Sequence, residues 1–265
     1  MKRTLFLTLA FCLLISQNIF AEEPKNESKK YIAIVIDDFG CDYDDIDEMI
    51  ALDIAFTGAV IPGHPSSSAH MEMLIANGKD VIIHLPMEPL KGAKKSWHTP
   101  MSLYVGLDAT QVSERVDAAL KELTQVSGIN NHMGSKATSN EQLMGYYVQA
   151  AKNHDFIILD SLTNSKSKLK DVATQQDAKF LIRDVFLDDP QKRNVSFVER
   201  RMKEAADIAD KNGYAIAIGH VGRSGGMTTI EGIKKTAKDI EARGIEFVTL
   251  KQLYEIIEKQ TISIG

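Results

Sequence analysis

The stretch YIAIVIDD, residues 31–38, decides the fold. Its apolar residues are largely β-branched and do not alternate with polar ones. That is the form of a strand buried on both faces, as in parallel sheets. It stops at two acids, Asp37 and Asp38. The same form recurs in FTGAVIP (56–62), DVIIHLP (80–86), GINNHMG (128–134), FIILDS (156–161), KFLIRDV (179–185), YAIAIGH (214–220) and IEFVTL (245–250). Amphipathic segments lie between them: Thr110 to Val126, Asn140 to Asn153, Phe197 to Asn212 and Thr229 to Arg243. Asp108 or Thr110 can cap the first, Ser139 with Gln142 has capping-box spacing for the second, and Gly213 ends the third. Strand followed by helix, about eight times over, gives α/β architecture with parallel strands in one domain over residues 29–260. A β/α barrel and an open doubly wound sheet both satisfy that pattern. No GxGxxG follows the first strand and no P-loop occurs, which weighs against the nucleotide-binding open sheet.

Polar residues gather where these strands end. They are Asp37 and Asp38, His84 with Glu88 beyond it, then Asn130, Asn131 and His132. Asp160, Asp184 beside Arg183, and His220 complete the set. In a parallel barrel all these ends face one mouth, where active sites form. Carboxylate and imidazole together are ligands for zinc or a similar transition ion. Three such ligands with an open position lower the pKa of a bound water to roughly 7. A further carboxylate can take its proton, and a further imidazole can serve a leaving group. Each residue also has a plainer reading. The Asp pair could cap a helix, His84 could be a satisfied core residue, Asp160 could hold a backbone amide, and Asp184 could pair with Arg183. His64, His70, His98 and His154 read as surface residues. Trp97 either stacks on a sugar or covers the rim, and GHVGRSGG (219–226) is a flexible loop beside His220.

Taken in order, IDDFG (36–40), IPGHP (61–65), HLPMEP (84–89), NNHMGS (130–135), LDS (159–161) and IGH (218–220) resemble the divergent polysaccharide deacetylase family, relatives of the NodB-like deacetylases. The resemblance spans nearly the whole chain after its leader. It implies an irregular parallel β/α barrel of seven to eight strands and metal-assisted removal of an acetyl group from a carbohydrate. It implies Asp37 as catalytic base, Asp38 and His84 as metal ligands, and His220 near the leaving group. The usual second His, four residues after the first, is here Glu88; the missing ligand is then His132 or Glu88. The usual Arg-x-Pro-Tyr motif is replaced by NNHMGS. The expected site is therefore Asp37, His220 and Asp160 for catalysis, and Asp38, His84 and His132 for a divalent transition metal, zinc first. Asn130, Asn131, Glu88 and Asp184 are expected to bind substrate. Two competing readings are a silent relative that binds glycan or an envelope partner, and a metal-free hydrolase pairing Asp37 with Asp160 or Glu88.

Lys2 and Arg3 precede a short apolar run that closes near Ala21, the pattern of a signal peptide over 1–21, followed by a polar tether over 22–28. The apolar run is too short for a membrane span, so no stable insertion is expected after cleavage. The stretch around Cys12 is a poor lipobox because Phe11 stands where a small residue is wanted. Past the leader only Cys41 remains, which excludes an internal disulfide. Removing Lys2 and Arg3 from 31 basic residues leaves 29 against 36 acidic, a net of −7. That argues against nucleic acid as a partner. The expected location is periplasmic or secreted, with an acetylated glycan as partner.

Overall fold

The computed structural model describes residues 29–91 and 98–264. The leader, the tether, Cys12 and Trp97 lie outside the described residues. Nine strands form one sheet: β1 (Lys30–Phe39), β2 (Thr57–Val60), β3 (Asp80–Met87), β4 (Gly128–Met133), β5 (Ile157–Asp160), β6 (Phe180–Ile182), β7 (Val185–Phe186), β8 (Tyr214–His220) and β9 (Ile245–Val248). The order is β6-β5-β4-β3-β2-β1-β8-β7, and β9 pairs the start of β1. Every pairing is parallel. Eight helices lie among the described residues, seven between strands and the last after β9: α1 (Ile46–Ile50), α2 (Ser67–Ala76), α3 (Ala109–Glu122), α4 (Glu141–Asn153), α5 (Leu169–Gln175), α6 (Val195–Asn212), α7 (Met227–Glu241) and α8 (Leu250–Ile264).

The sheet is the irregular parallel β/α barrel expected, and KFLIRDV, read as one strand, is two short ones. Its first half pairs with β5 and its second half with β8. The switch falls between neighbours: the Arg183 N–H donates to Asp160 O on one side, and the Asp184 N–H donates to Ile216 O on the other. The curled sheet is thus closed by one stretch of backbone rather than by a ladder.

Alternation along the strands separates two apolar layers. Ile32, Ile34 and Ile36 point outward into the layer beneath the helices. Ala33, Val35, Ile82, Leu159, Ile216 and Ile218 point inward and fill the barrel, with Leu250 and Leu253 of α8 closing its lower end. The next inward positions on these strands, two residues further along, are Asp37, His84 and His220. The polar site therefore sits directly on the apolar filling.

Side chains cap the starts of α3, α4 and α6. Asp108 and Gln111 form a reciprocal capping box on α3. Asn194 caps α6 by accepting from the Phe197 N–H, and Gly213 ends that helix in the left-handed region. The expected Ser139 cap of α4 is instead Asn140, which accepts from the Leu143 N–H at 2.9 Å. Ser139 donates to Lys136 O.

Candidate active site

Successive side chains of a strand point to opposite faces, so two adjacent acids cannot both face the barrel mouth from a regular strand. The register of β1 on β2 slips between Ile36 and Phe39, inserting one extra residue at the Asp37-Asp38 pair. Asp38 there takes φ 73°, a left-handed conformation that costs a non-glycine residue about 1 kcal/mol or more. This bulge brings both carboxylates to one pocket.

Strand register supplies the rest. His84 on β3 lies opposite Asn130 on β4, and Asp37 on β1 lies opposite His220 on β8. His132, two residues after Asn130, shares its face. Asp38 Oδ1 lies 3.0 Å from His132 Nδ1 and 3.3 Å from His84 Nε2, and those two nitrogens are 3.0 Å apart. Donor atoms sharing one ion at roughly 2.0–2.2 Å in a tetrahedral set stand roughly 3.3–3.6 Å apart, close to this spacing. Asp38 Oδ1 is sealed from solvent, yet among the described residues it accepts no directed hydrogen bond. The donor set and the orphaned oxygen both fit a metal ion. Asp38, His84 and His132 are the group among the described residues that could hold one.

A second set of contacts supports the first. Asn130 Oδ1 lies 2.7 Å from His84 Nδ1, while its Nδ2 donates to Asp37 Oδ1 at 2.9 Å. His84 Nδ1 therefore carries a proton, and in the neutral ring the Nε2 lone pair faces the pocket. Burial pushes the Asp37 carboxyl above its ordinary range, only partly offset by His84 and His220. Burial also acts on Asp38, but the adjacent imidazoles of His132 and His84 outweigh it and hold Asp38 well below that range. At His84, burial opposes protonation, and the two carboxylates outweigh it and raise the pKa.

His220 is held by Asp188, which the sequence reading missed. Asp188 Oδ1 lies 2.7 Å from His220 Nδ1, and Oδ2 accepts from the His220 N–H and the Thr229 hydroxyl, each at 2.7 Å. Burial opposes the charged imidazole, but Asp188 outweighs it and pushes the pKa up to about 10. The pocket above these groups has a volume of about 500 Å³. Its wall includes Cys41, Tyr43, His64, Asn131, Phe186 and Arg223.

Several expected site residues stand elsewhere. Glu88 takes Lys136 at 2.6 Å and the Val105 N–H at 3.0 Å, tying rim loops together outside the pocket wall. His132, not Glu88, stands with Asp38 and His84. Asp160 accepts from the Leu162 N–H, so its carboxylate shapes a turn. Asp184 accepts from the Ile216 N–H and lines a different depression. Arg183 spends its donors on the carbonyls of Ser161 and Leu162 rather than on a carboxylate. Asn130 is fully buried with its amide committed, which leaves it nothing for substrate. Asn131 lines the pocket while its Oδ1 accepts from the Ser161 N–H. His64, expected at the surface, borders the pocket with Nδ1 3.5 Å from Cys41 Sγ. His70 is buried and accepts from the Gly40 N–H at 2.9 Å. A His70, Met71, Leu74 stripe at helical spacing was the available signal for it.

Comparison with known proteins agrees with this geometry. The family described as divergent polysaccharide deacetylase matches residues 34–254, and the chain belongs to that family. An uncharacterised protein of Haemophilus influenzae is 35% identical over 214 residues, covering 81% of this chain and 75% of that one. The Escherichia coli K12 protein YibQ, also uncharacterised, is 34% identical over 189 residues, covering 71% of this chain and 58% of its own length. The chain thus matches less than two thirds of YibQ.

Among solved structures, an uncharacterised protein of Agrobacterium tumefaciens C58 superposes with a TM-score of 0.77 at 21% identity, covering 86% of this chain and 90% of that one. A mutant CE4 family pseudoenzyme with restored activity gives 0.54 at 10% identity, covering 85% and 68%. A peptidoglycan N-acetylglucosamine deacetylase gives 0.50 at 11% identity, covering 86% and 89%. These likenesses establish a shared fold.

Proposed function

We propose that this chain is an exported, zinc-dependent hydrolase that removes acetyl groups from an envelope carbohydrate. One observation carries the reading: a carboxylate and two imidazole nitrogens converge within 3.3 Å around a buried oxygen that accepts no directed hydrogen bond among the described residues. Family membership, and the fold shared with a peptidoglycan deacetylase, support a carbohydrate as the substrate class. Asp38, His84 and His132 would hold the ion. When bound, such an ion lowers the pKa of water to roughly 7 and polarises a carbonyl.

The remaining steps belong to the chain's own groups. Asp37, with its pKa raised by burial, accepts the proton of the attacking water. Asn130 fixes that carboxylate and the His84 ring in one arrangement. His220, protonated and steered by Asp188, delivers a proton to the departing sugar nitrogen or oxygen. The test is metal content together with acetate release from N-acetylated chitooligosaccharides. Wild type should hold about one zinc, as the single donor triad implies, and lose activity to a chelator. Asp38→Ala, His84→Ala and His132→Ala should lose both zinc and activity, whereas His220→Ala should keep zinc and lose activity. Wild-type protein that binds no added transition metal would overturn the proposal.

A further inference from the structure

Beside the active-site pocket runs a groove of about 320 Å³ that shares Tyr43 and Arg223 with it and carries Arg193 on its other side. Seven arginines fall within the described residues. Five of them are engaged. Arg183 and Arg201 donate to carbonyls, Arg243 pairs with acids, Arg115 meets Ser102 O, and Arg200 lies over Phe197. The other two, Arg193 and Arg223, make no hydrogen bond or ion pair among the described residues, and both line this groove.

Two acids share the groove, and neither answers these cations. Asp45 is spent on the Gly222 N–H, with its two oxygens at 2.9 and 3.1 Å. Asp44 is exposed and forms no ion pair with either guanidinium. The loops carrying the arginines are anchored. Gly222 is tied to Asp45 and packed so close to the Tyr43 ring that a Cβ would meet it at 2.5 Å, and Asn194, next to Arg193, caps α6. Two exposed guanidinium forks on anchored loops at the mouth of the pocket, in a chain of net charge −5, are placed to grip a paired-oxygen anion.

We propose that the glycan bound here is acidic, carrying a carboxylate or a phosphate that Arg193 and Arg223 grip while a neighbouring sugar occupies the pocket. This inference rests on the deacetylase reading for its choice of a glycan, but its test does not depend on turnover. Calorimetry on the full chain, metal-free and zinc-loaded, would compare three N-acetylated tetrasaccharides: a neutral one, one with carboxylates on alternate sugars, and one with a phosphate monoester. One of the acidic sugars should bind about tenfold more tightly than the neutral one, the effect of roughly 1.4 kcal/mol. Whichever does so identifies the anion, and added salt should shrink the preference. Arg193→Ala, outside the pocket wall, should reduce the preference with neutral binding unchanged, and adding Arg223→Ala should abolish it. The lysine variants should keep part of it, since charge remains without the fork.

Equal binding of acidic and neutral sugars, no binding of either, or a preference that survives the double substitution would overturn the inference. Acidic preference without acetate release would retain the groove assignment and remove the hydrolytic reading. Acetate release without acidic preference would do the reverse.

Discussion

Asn130 shows how much one side chain can settle. Its amide accepts from one ring and donates to one carboxylate, so the orientation of His84 and that of Asp37 are a single choice. Replacing it with Ala frees the His84 ring and should weaken zinc binding about 10–100-fold, the usual cost of losing the partner of a ligating histidine. Asn130→Asp keeps an acceptor for Nδ1 and should retain zinc affinity, while placing a like charge against Asp37 and losing activity. Competition titration with a chromophoric chelator, beside acetate release, separates these effects. A merely structural role would make both variants lose zinc equally. The residue type was legible in the sequence, but its commitment was not. Asn130 and Asn131 read alike in NNHMGS, and the β3–β4 register alone sets the first against His84. Asp188 was hidden for a similar reason. It sits in LDDPQKRN among other polar residues, with no periodicity to single it out, and its partner lies 32 positions away.

At the scale of elements, the stretch from β1 to α2 is held by His70. Its Nδ1 accepts from the Gly40 N–H, just past the bulge that presents the Asp pair. Burial pushes the His70 pKa below its ordinary value, with Asp42 and Asp47 opposing weakly. The unfolded chain therefore binds a proton that the folded chain resists. The stability this neutral histidine contributes is fully present above the unfolded value near 6.5 and drains away as pH falls below it. Urea midpoints measured from pH 7.5 to 5 should fall less steeply in His70→Asn, which keeps an acceptor for Gly40 and does not titrate. Identical slopes would show that His70 takes no part. The longer elements were legible because their patterns are long: β1, β3, β8 and the four amphipathic helices fall close to their expected positions. The boundaries of β6 and β7 were not, because KFLIRDV is apolar enough for one strand and only the opposed partners of Arg183 and Asp184 divide it.

For the molecule as a whole, the filling beneath the site is the main source of rigidity. Leu253 of α8 is fully buried against the inward side chains of the strands. Leu253→Ala should cost about 2–5 kcal/mol in a chemical denaturation series, as for other core truncations to alanine. The exposed Leu90 should lose almost nothing on the same change. The fold class was open to reading because uninterrupted apolar strands have few uses other than a sheet covered on both sides. The site was open to reading in part because polar residues interrupt those strands at their ends. Closure by a single backbone crossing at Arg183 and Asp184 also sorts the chemistry along the chain. Every donor of the proposed metal triad precedes that crossing, and Asp188 and His220 both follow it. On the proposed reading, a chain severed there would leave ion holding with the first fragment and proton delivery with the second. Complementation between the two pieces would then report on assembly through the long β1–β8 ladder.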